Sequence, residues 1–281
     1  MRYRIDLSYD GAGFCGWQIQ PKDPSVQETL ENALGTLLRG RVQVTGAGRT
    51  DTGVSASFYV AHFDFEGPVP EPLAAPDNSL DCKQLRFKLN AILPKSVCIL
   101  GIAPTATDFN ARFDAVRRQY TYYLHRVKDP FCERYSYYYA YPDVDFEAMN
   151  RAAAALLGTH DFSCFEKSGG DNKTSVCTVF TARWEPCLPI PAAGKPEASD
   201  PAAVPYWRFV IEADRFLRNM VRAIVGTLLE VGRGRRSGED FASLVLPPTE
   251  TRYDDSARES RRSAAGESVP GHALFLTDIR Y

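Results

Sequence analysis

RVQVTGAGRTDTGVSASFYVAHFDF (Arg41–Phe65) holds two strand-like runs, RVQV at 41–44 and FYVAHFDF at 58–65, on either side of a glycine-rich loop. Short runs rich in β-branched and aromatic residues, bounded by glycines, read as strands, so Asp51 is expected in a loop between two of them. It stands between Thr50 and Thr52, with Arg49 two residues before it and glycines at 46, 48 and 53. Two readings compete for this pattern. Asp and Gly gather in turns because Asp bonds backbone amides and Gly supplies positive φ, and on loop chemistry alone that reading is the stronger. A carboxylate beside an arginine is also equipped to act as a nucleophile or general base, and loops on a rigid scaffold commonly carry such groups.

Outward from this loop, RYRIDLSY at 2–9 alternates Tyr3, Ile5, Leu7 and Tyr9 with polar residues, the period of a strand with one face buried. SVQETLENALGTLLRG predicts a helix: Ser25 and Glu28 make a capping box, Val26, Leu30, Leu34, Leu37 and Leu38 line one face, and Gly40 supplies the stop. A Pro-rich link at 68–76, a helix at 80–92 and the strand VCILGIA complete a first α+β domain, 1–104. The second domain, 105–281, carries the strand QYTYYLHRV (119–127), a helix from Asp145 to Gly158, strands near 174–184 and 206–212, and a closing strand, HALFLTDIRY. Residues 186–205 are rich in Pro and Ala without periodicity and read as an exposed loop, and 247–270 is polar and loop-like with room for a short helix. DRFLRNMVRAIVGTLLEVG (214–232) predicts the strongest helix, on which Arg215, Arg218 and Arg222 fall along one stripe.

With 281 residues, 44% hydrophobic and 24% charged, the chain fits a folded protein of two domains and excludes disordered and collagen-like classes. Its start lacks an apolar h-region, and nowhere does an apolar run approach the roughly 18 residues a membrane helix needs. No signal peptide and no membrane span are expected. The 7 cysteines are scattered without a C-x-x-C pair and the 4 histidines stand apart from them, which points to reduced thiols in a cytoplasm and no metal site. A net charge of −2 excludes a protein coated in positive charge, yet local density matters more. Arg112, Arg117, Arg118, Arg126 and Lys128 fall close together, as do Arg215, Arg218, Arg222, Arg233, Arg235 and Arg236; the ordinary reading of either run is solvated surface.

Other chemistries fit Asp51 poorly. G-A-G-R-T-D starts like a dinucleotide fingerprint but lacks the third glycine and a following helix pattern. Asp51-Thr52-Gly53 matches the triplet of aspartic proteases, which need two carboxylates sharing a proton; the chain has one copy, which speaks against a one-chain protease and leaves a dimeric one open on the triplet alone.

YDGAGFCGWQIQP, SVQETLENAL, GAGRTDTGVSA, FNARFDAVRRQYTYYL, HDFSCF and FLRNMVRAIVGTLLEVG occur in that order along nearly the whole chain. In order and spacing they resemble the TruA-type tRNA pseudouridine synthases, with G-R-T-D-x-G-V and M-V-R-x-I-V-G the most specific signals. The resemblance implies two similar α+β domains with antiparallel sheets flanked by helices and a cleft between them. It implies cofactor-free isomerisation of uridines 38, 39 and 40 in the anticodon stem-loop of tRNA by a homodimer. Asp51 then matches the nucleophile, Tyr120 the tyrosine that packs on the target base, and Arg222 the arginine that pairs with the carboxylate. Arg49 orients the motif or contacts RNA, and Arg215, Arg218, Arg112, Arg117 and Arg118 bind phosphates. Without the resemblance, Tyr120 reads as core beside Tyr122 and Leu124, and Arg222 as a residue of the helix edge.

Three departures stand out. Ser55 occupies a position where the family usually has His, Cys177 lies where an arginine is often found, and PGHALFL replaces a Gly-Leu pattern near the end. They bear on RNA contacts and specificity rather than on Asp51, Tyr120 or Arg222. Two rivals differ in kind: a non-catalytic RNA-binding protein or RNA chaperone of the same fold, and a hydrolase using Asp51, which would need a water-activating partner.

Overall fold

The alternation at the start of the chain becomes β1 (Arg2–Tyr9), whose every second side chain is buried. The computed structural model describes residues 1–169, 173–188, 205–248 and 261–281, so 189–204 of the Pro/Ala segment and 249–260 of the later loop lie outside the described residues. Two compact units result, Met1–Val116 with Phe275–Tyr281, and Arg117–Leu274.

In the first unit β1 runs antiparallel between β3 (Ser55–Asp64) and β4 (Val97–Pro104), with Ile5 opposite both Ala61 and Ile102. The short β2 (Val44–Gly46) pairs with one end of β3, Val44 opposite Phe63. Its ladder starts only at Val44, three residues later than the pattern predicts. The last strand, β10 (Leu274–Arg280), lies parallel to the other end of β3, Phe275 opposite Ser55. Sequence order alone would assign that strand to the second half. Strand pairing and three bonds, Thr105 N–H to the Arg2 carbonyl (3.0 Å), Val116 N–H to the Arg280 carbonyl (2.8 Å) and the Tyr281 hydroxyl to the Ala111 carbonyl (2.8 Å), join 105–116 and 275–281 to the first unit instead.

Helix α1 (Val26–Leu38) starts as its capping box predicts, the Ser25 hydroxyl accepting the Glu28 N–H at 3.2 Å. Its stop differs from expectation: Arg39, not Gly40, takes the left-handed conformation (φ 55°), and Gly40 N–H closes onto the Gly35 carbonyl at 3.2 Å. Helix α2 (Cys82–Ile92), capped by Asp81, lies on β4 and is locked there by the Asn90 side-chain amide, which pairs with the Ile99 carbonyl (2.9 Å) and N–H (2.7 Å).

The second unit orders β5 (Arg117–His125), β9 (Tyr206–Ala213), β8 (Val176–Pro186) and β7 (Gly158–Asp161) as successive antiparallel neighbours, while β6 (Tyr137–Tyr138) pairs parallel with β5. The β3–β10 and β5–β6 pairs make the sheet structure mixed rather than purely antiparallel. Helix α3 (Phe146–Ala153), capped by Asp145, packs on β8 and on α4 (Met220–Gly232) and α5 (Gly238–Ala242). Its Phe146 ring stacks on Trp207 at 3.7 Å between centroids, joining helix to sheet.

Helix α4 begins six residues later than its apolar pattern predicts, because Asn219 takes a left-handed conformation (φ 65°) that a continuous helix excludes. Arg215 and Arg218 therefore precede the helix, and the single arginine stripe expected of 215, 218 and 222 does not form.

Candidate active site

Asp51 lies in the loop between β2 and β3, as the flanking runs predict. Segments from elsewhere in the first unit hold that loop. The Trp17 N–H donates to the Thr50 carbonyl (3.3 Å), the Gly53 N–H to the Phe14 carbonyl (3.3 Å), and within the loop the Val54 N–H donates to the Asp51 carbonyl (3.1 Å). Both peptide planes that meet at the Asp51 Cα are thus tied, since a planar peptide moves as one body. The glycines of the motif do separate jobs. A Cβ on Gly46 would sit 2.3 Å from the Tyr59 hydroxyl and 2.5 Å from the Trp17 ring, and Gly53 takes φ 77°. On the facing segment, a Cβ on Gly16 (φ 92°) would sit 2.2 Å from the Thr50 carbonyl and one on Gly11 2.1 Å from the Val54 carbonyl. YDGAGFCGW and GAGRTDTGV are therefore two halves of one close backbone contact. Asp51 is half-buried and Arg49 exposed.

Ser55, the departure from the resembled pattern, turns inward. It is 2% exposed and its hydroxyl accepts the Gly11 N–H at 3.0 Å. Sequence reading tied this position to RNA contacts and missed its partner, as it missed the roles of Tyr9, Trp17 and Tyr59, whose contacts with the loop form only once the strands have paired.

In the second unit Tyr120 lies opposite Ile211 in the β5–β9 ladder, 9% exposed, its ring edge-on to Phe216 at 5.0 Å. Arg222 occupies the first turn of α4, where its Nε donates to the Val269 carbonyl (2.8 Å) and the Val269 N–H returns to the Arg222 carbonyl (3.2 Å). The adjoining Tyr122 hydroxyl donates to the Pro270 carbonyl at 3.1 Å; burial pushes its pKa up, with the Arg222 charge pulling against that. Arg222 and Gly226, four residues apart, share the helix face that meets segment 266–270. A Cβ on Gly226 would lie 1.8 Å from the Glu267 carbonyl, and Thr227 accepts the Gly266 N–H at 3.0 Å. This close approach requires the final glycine of M-V-R-x-I-V-G and holds the Nε of its arginine.

The remaining arginines divide. Arg117 pairs with buried Glu212 at 2.7 Å and covers the Phe180 ring, and Arg118 donates to the Asp214 carbonyl at 2.7 Å. Arg215 is half-buried, near enough to Cys177 for its charge to oppose the upward shift that burial gives the thiol. Arg112 and Arg218 are exposed, the first over the Phe113 ring and the second donating to the Ser168 carbonyl at 3.0 Å. Among the described residues no group of three or more His, Cys, Asp or Glu is placed to hold a metal ion, and no helix is long and apolar enough to cross a membrane.

Residues 152–281 match the family model of tRNA pseudouridine synthases. The chain is 44% identical over 280 residues to tRNA pseudouridine synthase A of Bacteroides fragilis, covering 100% of this chain and 96% of that protein. The chain belongs to the tRNA pseudouridine synthase A family. Relatives of the same name from Parabacteroides distasonis (43% identical, 100% of this chain and 96% of that protein) and Latilactobacillus sakei (35%, 100% and 98%) match over the full chain as well. The similarity to these relatives spans both units.

Proposed function

We propose that this chain converts uridines 38, 39 and 40 in the anticodon stem-loop of tRNA to pseudouridine, with Asp51 as the nucleophile. Family membership carries the coarser part, an isomerase acting on uridines of tRNA. The reaction breaks the N1–C1′ bond, turns the uracil and joins C5 to C1′. C5 loses a proton and N1 gains one, so substrate and product hold the same atoms, and no cofactor or energy source is consumed.

The observation that carries the Asp51 assignment is its loop: a half-buried carboxylate on a backbone tied at both flanking peptides, beside exposed Arg49. Such prior fixing is what a nucleophile needs to meet its target without a further ordering cost. Tyr120 then offers the aromatic face that replaces the stacking a flipped base loses, a matter of about a few kcal/mol. Arg222 pairs with the Asp51 carboxylate, and Arg49 orients the motif or contacts RNA. The reading includes a cleft shared by the two units, a homodimer and a cytoplasmic location, as the family resemblance implies.

Tritium release from tRNA carrying 5-³H-uridine tests this. The parent is expected to release tritium in the presence of a chelator, and Asp51→Asn to release none while still binding tRNA. Intact tRNA binding without release by the parent would make the chain a non-catalytic RNA-binding protein.

A further inference from the structure

The geometry points to Tyr9 and Tyr59 as positioning residues for Asp51, acting through the loop backbone rather than on the substrate. Along the loop, Gly48 and Thr50 face the protein while Arg49, between them, is exposed. The Tyr59 hydroxyl, on a residue 0% exposed, donates to the Gly48 carbonyl and accepts the Gly48 N–H, the latter at 3.3 Å. The Tyr9 hydroxyl meets the Thr50 Oγ1 at 2.9 Å. Two phenols from adjacent strands, β1 and β3, thereby grip alternate residues of the loop, the second grip falling immediately before Asp51.

The grip is rigid for reasons of packing. The two phenol rings meet edge to face at 5.6 Å, and Trp17 stacks on Tyr59 at 4.1 Å, so the hydroxyls cannot follow a wandering loop. The Trp17 backbone N–H also donates to the Thr50 carbonyl, which leaves Thr50 held at both its side chain and its backbone. Since Thr50 and Asp51 share a peptide plane, this fixes the direction in which the Asp51 side chain leaves the backbone. Core burial alone would be served as well by phenylalanine at either position; only the hydroxyls reach the loop.

This inference rests on Asp51 as the nucleophile. A displacement of about 1 Å at a reacting group costs on the order of 100-fold in rate, so losing one hydroxyl, with partial slippage, is expected to lower the single-turnover rate by roughly 10-fold or more at unchanged tRNA affinity. The experiment compares Tyr9→Phe, Tyr59→Phe, Thr50→Val and Thr50→Ser with the parent and with Asp51→Asn, measuring single-turnover tritium release, tRNA binding and thermal melting. Expected are a slow but folded and tRNA-binding Tyr59→Phe, equal losses in Tyr9→Phe and Thr50→Val that do not multiply when combined, and recovery of most of the rate in Thr50→Ser. Parental rates in both Phe variants beside an inactive Asp51→Asn would overturn the positioning role alone. Release by Asp51→Asn would overturn the nucleophile and this inference with it. Losses that merely follow the folded fraction, or that appear as weaker tRNA binding, also overturn it.

Discussion

Ser55 shows how one side chain changes meaning once its partner is known. Its hydroxyl accepts the Gly11 N–H in a buried site, and Gly11 has no Cβ because the Val54 carbonyl occupies that space. Ser55→Ala strands the amide, which costs about 1–3 kcal/mol. A lowered urea midpoint with an unchanged m-value is the expected result. His62, also on β3, carries a second single-residue prediction. Its Nδ1 accepts the Ala111 N–H at 3.1 Å, and burial, with the Arg2 charge behind it, holds its pKa below the ordinary 6.5. The unfolded chain therefore takes up the proton first. His62 contributes its full stability above about pH 6.5 and loses it as pH falls below that value toward and through the folded pKa. The urea midpoint should drop between pH 7.5 and 5, and by less in His62→Gln than in the parent.

Helix α4 is the element whose sequence said most and misled most. On propensity, Gly226→Ala should stabilise a helix interior by about 1 kcal/mol. The new Cβ would instead meet the Glu267 carbonyl at 1.8 Å, a clash with backbone that no rotamer relieves. Overpacking of this kind costs about 1–3 kcal/mol or more, so the variant should unfold at lower urea and, by shifting segment 266–270, disturb the Arg222–Val269 pair. Periodicity found the helix because Met220, Val221, Ile224, Val225, Leu228 and Leu229 are all buried. It extended the helix too far because Phe216 and Leu217 are apolar at the right spacing, while the break depends on the conformation of Asn219, for which one-dimensional pattern has no signal. Capping was legible at Ser25 and Asp145, but not at Asp81 and Ser237, whose helices follow them without a comparable pattern. The Asp51 loop was legible as a loop and its chemistry through resemblance. Its anchors were not, since Tyr9 and Thr50 stand 41 residues apart and meet only after β1 has paired with β3.

At the scale of the whole molecule, a protein of net charge −2 that acts on tRNA must concentrate its positive charge locally. Counting arginines overstates that resource, because several are already matched by acids: Arg117 by Glu212, Arg208 by Glu185 and Arg236 by Glu230. Of the five arginines matched to phosphates by resemblance, Arg112 and Arg218 are the exposed ones, and we put these two forward as the phosphate contacts. The two groups should separate in a salt series. Each phosphate contact removed lowers the slope of log K against log salt by about 0.7 to 1, so Arg112→Ala and Arg218→Ala should weaken tRNA binding and flatten that slope without moving the urea midpoint. Arg117→Ala should do the reverse. It removes an ion pair from a buried carboxylate, a loss on the order of 1–2 kcal/mol once the partial exposure of Arg117 is discounted, and leaves the salt slope unchanged. A flattened slope for Arg117→Ala would mean that tRNA draws this arginine away from Glu212, and that exposure in the unbound protein does not identify the RNA-binding face.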